Sequence, residues 1–143
     1  MISQTEEYAL RAMTCLAFRH PSYITRDQLF DVTQVPHAYL PKIMLELNRT
    51  GLIRSQRGQN GGYALIQHPQ NISLLKIIKA VRTGTSKNAP LYASSNSTEI
   101  NQLNEHLNQT FSMLESVLDQ TSLADIITTP VEQNSKEQHC VQK

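Results

Sequence analysis

Apolar residues recur along most of the chain at the three- and four-residue spacing of amphipathic helices. The first predicted helix begins after Ser3, which has capping-box spacing with Glu6, and ends at about Arg19, before Pro21. The second helix is short, from about residue 26 to 33. We expect it to bury three apolar side chains: Leu29, Phe30 and Val32.

The third helix begins near Pro36 and ends before Gly51, a residue suited to a left-handed helix C-terminus. Pro41 complicates its first turn because proline has no N–H group to donate. The helix therefore either starts later than Pro36 or loses one hydrogen bond near His37. Its predicted buried face is Leu40, Ile43, Met44 and Leu47.

Residues 51–63 read GLIRSQRGQNGGY, and two short β-prone runs flank a glycine-rich turn. This pattern predicts a β-hairpin. A tip with basic and amide side chains suits contact with a phosphate backbone or a DNA groove. An ordinary surface hairpin is the alternative. We assign the turn to residues 58–62, with three glycines that permit positive φ angles: Gly58, Gly61 and Gly62.

The order helix, helix, short turn, helix, hairpin is typical of a winged helix-turn-helix, in which the third helix enters the major groove. The predicted fold is therefore mainly α with one small β-hairpin. A fourth helix follows, capped by Ser73 and ended by Gly84.

A long polar helix from about Glu99 to Gln120 carries one narrow apolar stripe at near-heptad spacing. Such a stripe must be buried against its own domain or against the same helix of a second subunit, and we favour the second. The stripe, which is the predicted dimer interface, consists of Ile100, Leu103, Leu107, Phe111, Leu114 and Leu118.

These elements divide the chain into four parts. We assign residues 1–83 to a winged helix-turn-helix domain and residues 84–98 to a loop. The dimerisation helix and a short closing element occupy residues 99–128, and residues 129–143 form a flexible tail.

The charge distribution supports this division. Residues 1–83 carry ten basic and five acidic side chains, whereas residues 84–143 carry three basic and seven acidic ones. A basic part joined to an acidic part fits a polyanion-binding domain with a separate assembly element, although a surplus of this size also occurs on ordinary solvated surfaces.

Composition and motifs narrow the classes of protein to which the chain can belong. No apolar run approaches the ~18 residues of a membrane span, and the N-terminus resembles no signal peptide, so we expect a cytoplasmic protein. The two cysteines, Cys15 and Cys140, make no disulfide framework. The chain has no HExxH, CxxC, GxSxG or P-loop motif, and its five histidines are scattered, which argues against an enzyme.

The chain resembles the Rrf-type (BadM-like) family of winged-helix bacterial transcriptional regulators. Residues 7–12 look like that family's opening helix, and residues 35–51 look like its recognition helix. Residues 52–65 carry the most specific match, to the wing. The resemblance implies a two-fold homodimer that binds operator DNA through a pseudo-palindrome, usually as a repressor.

The resemblance also implies a set of DNA contacts. Arg54 and Ser55 would contact phosphates, and Arg26 at the start of the second helix completes the set. Pro36 and Pro41 depart from the residues usual in the family. The recognition-helix candidates are His37, Ala38, Tyr39 and Lys42, and the wing candidates are Arg57, Gln59 and Asn60.

Many members of that family hold an iron–sulfur cluster through three cysteines between the fourth helix and the dimer helix. Residues 84–104 of this chain contain no cysteine, and clusters need thiolate ligands almost throughout. We therefore predict no cluster and no other cofactor, and interpret Glu7 and His106 as ordinary helix residues. A small-molecule or protein effector stays unidentified.

Two other functions stay open at this point. The chain could be a winged-helix module that acts through a partner protein, since a fold does not fix a function. It could also be a redox or metal sensor that uses Cys15 and Cys140.

Overall fold

The computed structural model describes residues 2–82 and 97–130, so the loop prediction for 84–96, Gly84 and residues 131–143 of the predicted tail lie outside the described residues. The elements are α1 Gln4–Arg19, α2 Arg26–Thr33, α3 Leu40–Arg49, β1 Ile53–Gln56, β2 Gly62–Leu65, a 3-10 turn Pro69–Asn71, α4 Leu74–Val81, α5 Thr98–Gln120 and α6 Leu123–Thr128.

Side-chain caps fix where several helices begin. Ser3 with Glu6, and Thr25 with Gln28, both form the predicted capping boxes. Ser122 and Asp125 form a third box at α6. Each box satisfies backbone N–H groups that the first helical turn cannot pair internally.

The third helix starts at Leu40, later than the predicted start near Pro36. Residues 37–39 form a turn in which the Tyr39 N–H donates to the Pro36 carbonyl over 2.9 Å. Pro41 then falls in the first helical turn, where its missing N–H removes no intrahelical bond. Gly51 ends the helix at φ 76°, as predicted.

The core is built around α1, and the predicted buried face of α3 is confirmed. In α2 only Leu29 and Thr33 are buried, and Phe30 is half-buried. The prediction for Val32 is wrong, because it lies off the Leu29–Thr33 side of the helix and is 60% exposed. Other large, fully buried core residues are Met13, Leu16, Ile24, Ile53, Leu65, Ile72 and Ile77.

The hairpin is antiparallel, with Ile53 opposite Leu65 and Gln56 opposite Gly62. Gly62 is therefore the first residue of β2 and not part of the turn. Its backbone passes so close to the loop before α2 that a Cβ would lie 2.1 Å from the Ile24 carbonyl oxygen. Gly62 is needed for this close approach as well as for its φ of 142°.

The start of β2 is tied to the helical part by two backbone hydrogen bonds. Ile24 N–H donates to Tyr63 O over 2.9 Å, and Tyr63 N–H donates to Ile24 O over 2.8 Å. These bonds add a short bridge beside β2 and hold the wing against the start of α2.

The long helix α5 begins at Thr98, one residue before the predicted start, and Ser97 caps it. It packs against α4, and its C-terminal end joins α4 through the backbone: Leu74 N–H donates to Thr121 O, and Leu123 N–H donates to Ile72 O, each over 2.9 Å. None of the described helices is long and apolar enough to cross a membrane.

Candidate nucleic-acid interface

The turn before α3 presents His37, Ala38 and Tyr39, all exposed. The His37 imidazole stacks on the Phe30 ring of α2, with centroids 3.9 Å apart and planes 18° apart. The stack fixes the plane of an imidazole that carries both a donor and an acceptor, which are the groups that base edges require.

Tyr39 is 44% exposed, and its ring leans on Tyr8 of α1 with centroids 5.5 Å apart. The Tyr8 hydroxyl in turn accepts a hydrogen bond from Gln4 Nε2 over 2.7 Å. Tyr39 is thus supported from behind by α1. Lys42 is exposed on the first turn of α3.

The wing places Arg54, Ser55, Arg57, Gln59 and Asn60 at exposed positions of β1 and the tip. The Arg54 guanidinium lies 5.8 Å from the centroid of the Tyr23 ring, within cation–π range. Such a contact restricts the rotamers of an exposed arginine and thereby orients its charge.

Arg26 is the exposed first residue of α2. It follows Ile24 by two residues, and Ile24 is bonded to Tyr63 of the wing. The predicted DNA-contacting residues are therefore carried by three adjoining parts of the fold: the start of α2, the turn before α3 together with the first turn of α3, and the wing.

The predicted dimer stripe on α5 divides into two groups. Leu107, Phe111 and Leu118 are half-buried within the chain itself. Ile100, Leu103 and Leu114 are exposed at 43%, 52% and 42%. No described residue of α5 is buried, so the helix keeps an uncovered apolar face.

That apolar face is wider than the sequence pattern predicted. Met113 and Val117 are 71% and 60% exposed; on the helix surface Val117 adjoins Leu114, and Met113 adjoins Val117. The heptad template overlooked them because they lie beside the stripe, although their spacing of four residues is helical.

Sequence reasoning also missed an ion-pair network that joins three helices. Glu6 of α1 is 5% exposed, and its Oε1 accepts a hydrogen bond from Arg82 Nε over 2.7 Å. Arg82 NH1 lies 3.8 Å from Glu115 Oε1 on α5. Glu6 was assigned to helix capping alone, since no local pattern indicates a partner 76 residues away.

The donor set does not fit an iron–sulfur cluster. Within the described residues no group of three or more His, Cys, Asp or Glu side chains could hold a metal ion. Cys15 is a buried free thiol, and burial raises its pKa above the ordinary value, against the thiolate that a cluster requires. The other cysteine, Cys140, lies outside the described residues, and the whole chain has only these two.

Comparison with known proteins agrees with this architecture. The profile of the Rrf2 family, described as an iron-dependent transcriptional regulator, matches residues 2–129. An rrf2-like HTH-type protein of Rhodobacter capsulatus is 31% identical over 85 residues, which is 57% of this chain and 57% of that protein. The chain therefore aligns with little more than half the length of that relative.

Longer alignments extend the similarity. The HTH-type transcriptional regulator NsrR of Halalkalibacterium halodurans is 28% identical over 131 residues, which is 85% of this chain and 86% of that one. The structure of CymR, the global cysteine regulator of Bacillus subtilis, superposes with a TM-score of 0.74 at 26% identity and covers 88% of this chain and 95% of CymR.

The matching family and these relatives are transcriptional regulators. This confirms the prediction of a regulator and the prediction that the chain is not an enzyme. The predicted fold, a winged helix-turn-helix with a long C-terminal helix, is confirmed as well. The chain belongs to the Rrf2 family of winged-helix, DNA-binding transcriptional regulators.

Proposed function

We propose that this chain is a cytoplasmic, homodimeric repressor that binds a pseudo-palindromic operator and works without an iron–sulfur cluster. The observation that carries the proposal is α5, a 23-residue helix with no buried residue and a continuous apolar face. A polar helix with such a face gains stability when a second copy covers that face.

Two-fold pairing through α5 gives each dimer two copies of the reading surface. His37, Ala38, Tyr39 and Lys42 would contact base edges, because they precede or begin the helix that enters the major groove. Arg26, Arg54, Ser55 and Arg57 would contact phosphates, and the amides of Gln59 and Asn60 at the wing tip would meet the adjacent groove.

Ligand chemistry supports the proposal that the chain holds no cluster. Cys15 is buried in the core among α1 residues, and residues 84–104, where cluster-binding members carry their cysteines, contain none. Serine hydroxyls in that segment are poor ligands for iron. The family is described as iron-dependent, and we propose that this description does not apply to this chain, because its side chains do not supply the ligands that a cluster needs.

The first experiment selects duplexes from a random library with the purified protein and then titrates salt on the selected sequence. We expect an inverted repeat and an affinity whose logarithm falls with the logarithm of salt at about −0.9 per neutralised phosphate. Arg57→Ala should weaken binding to all duplexes alike. No enrichment, together with salt-insensitive binding to a protein partner, would favour the interaction-module alternative.

Sedimentation tests the dimer. Leu103→Glu and Leu114→Glu place charges on the exposed apolar face and should yield monomers with weak operator binding. Ser112→Glu adds the same charge on an exposed position away from the stripe and serves as the matched control. If all three variants sediment like the parent chain, α5 is not the interface.

Anaerobic reconstitution with iron and sulfide tests the cofactor. We expect less than stoichiometric iron, no visible charge-transfer absorbance, and unchanged operator affinity. Repression is tested by transcription in vitro from a promoter that contains the selected repeat, with and without the protein. A coloured protein whose DNA binding responds to cluster loss would refute the cluster-free mechanism.

A further inference from the structure

Within residues 2–82 and 97–130, polar contacts attach the long helix α5 to the winged part at two separate points. The first point is its C-terminal end, where backbone hydrogen bonds join Thr121 to Leu74 and Leu123 to Ile72. An attachment at one end fixes a position but leaves the helix able to pivot. α5 also packs against α4, and the side chains between the two helices contribute to the angle at which they cross.

The second point is the Glu6–Arg82–Glu115 network. Arg82 lies one residue past the end of α4 and donates from Nε to the buried carboxylate of Glu6. The other oxygen of Glu6, Oε2, accepts the Ser3 N–H over 3.1 Å, so both carboxylate oxygens are engaged. Arg82 then faces Glu115, about two turns before the backbone attachment.

We propose that Arg82 is a positioning residue that sets the angle between α5 and the winged part, and thereby the half-site spacing that the dimer accepts. The inference rests on the proposed dimer through α5. In such a dimer, each reading surface is carried on its own α5, so the angle of that helix determines the distance between the two surfaces.

The length of α5 makes small rotations matter. Its 23 residues extend over roughly 35 Å at the helical rise of about 1.5 Å per residue. A rotation of about 10° around the Thr121 end therefore displaces the far end by roughly 6 Å, close to two base-pair steps of ~3.4 Å.

The two ion pairs of Arg82, with Glu6 and with Glu115, contribute differently to stability. Glu6 is buried, so its pairing with Arg82 offsets a large desolvation penalty. The Arg82–Glu115 pair is about half exposed and longer, which by itself would contribute little. Because Glu6 already holds the guanidinium in place, however, Glu115 meets a fixed partner, and only its own side chain loses freedom.

The test selects operators from a library of inverted repeats with varied half-site spacing. The variants are Glu115→Gln and Arg82→Gln, and the matched control is Asp119→Asn, which removes the same charge from an exposed position on the same helix. Glu115→Gln leaves the buried Glu6–Arg82 pair intact, so it reports on the angle without endangering the fold.

We expect Glu115→Gln to lower the preference for the optimal spacing over spacings one base pair longer or shorter by about two- to five-fold. Arg82→Gln should lower it further, while the half-site sequence stays that of the parent and Asp119→Asn behaves as the parent. Unchanged spacing preference in both variants would overturn the inference and leave the proposed function intact. A parent protein that selects no inverted repeat would overturn both.

Discussion

The imidazole of His37 stacks nearly parallel on Phe30, with ring centroids 3.9 Å apart. A residue of α2 therefore orients a residue of the turn before α3. We predict that Phe30→Leu, which keeps apolar packing but removes the stack, lowers base discrimination at the position read by His37 about three- to ten-fold. Competition binding against single-base operator variants measures the effect. Phe30→Tyr keeps the stack and should keep the discrimination, and equal discrimination in Phe30→Leu would show that His37 needs no support.

Tyr23 supports Arg54, a proposed phosphate contact, in a comparable way, because its ring lies under the Arg54 guanidinium. Tyr23→Leu should weaken binding to every duplex about two- to five-fold, as expected from losing one exposed cation–π contact. Arg54→Ala should weaken binding further and lower the salt slope by about one. Tyr23→Phe is the control. Loss of sequence preference in Tyr23→Leu, instead of a uniform loss of affinity, would contradict this role.

The two glycines of the wing with positive φ should respond differently to alanine. Gly62→Ala places a methyl group against the Ile24 carbonyl and should lower the free energy of unfolding by about 3 kcal/mol or more. Gly58 has φ 109° but open space around it, so Gly58→Ala should cost only about 1–2 kcal/mol of backbone strain. Urea unfolding compares the variants, and equal costs would show that the Ile24 contact relaxes freely.

Cys15 should be chemically inert in the folded chain. Burial favours the neutral thiol and raises its pKa above the ordinary value, partly opposed by the positive charge of Arg19. In a Cys140→Ser background we expect iodoacetamide to label the native chain at pH 8 at least about ten-fold more slowly than the urea-unfolded chain.

The pH dependence of that thiol has a definite sign. A raised pKa in the folded state means that the unfolded chain loses the thiol proton first as pH increases. The contribution of the buried neutral thiol to the free energy of unfolding is therefore present below about pH 9 and is lost as pH rises further. Cys15→Ala should remove this pH-dependent contribution. Unfolding free energies at pH 7 and 10 for both chains measure the difference. Oxidant-dependent DNA binding that disappears in Cys15→Ala would restore the redox-sensor alternative.

Local patterns in the sequence were sufficient for most of the fold. Capping pairs such as Thr25–Gln28 and the apolar spacing of α3 are short-range signals, and the structure reproduces both. Of the two alternatives for α3, the start later than Pro36 is confirmed, and Pro41 occupies the first turn, where its missing N–H costs no hydrogen bond.

Long-range contacts could not be predicted in the same way. Gly62 looked like a turn residue because its contact with Ile24 depends on tertiary packing. The pairing of Glu6 with Arg82 and the supporting rings behind His37 and Arg54 likewise join residues that no periodicity relates. The reading residues were predicted by resemblance, and their roles stay predictions until the binding experiments are done.

The wing contains both glycines that its attachment requires and exposed residues that take no part in that attachment. Gly61 and Gly62, at the end of the turn and the start of β2, are constrained by close backbone contacts, while Gln59 and Asn60 at the tip are exposed. Substitutions of Gln59 and Asn60 should therefore cost little stability, whereas a side chain at Gly61 or Gly62 would clash with backbone atoms. If the tip contacts DNA as proposed, substitutions of Gln59 or Asn60 would change operator preference while the folded scaffold is retained.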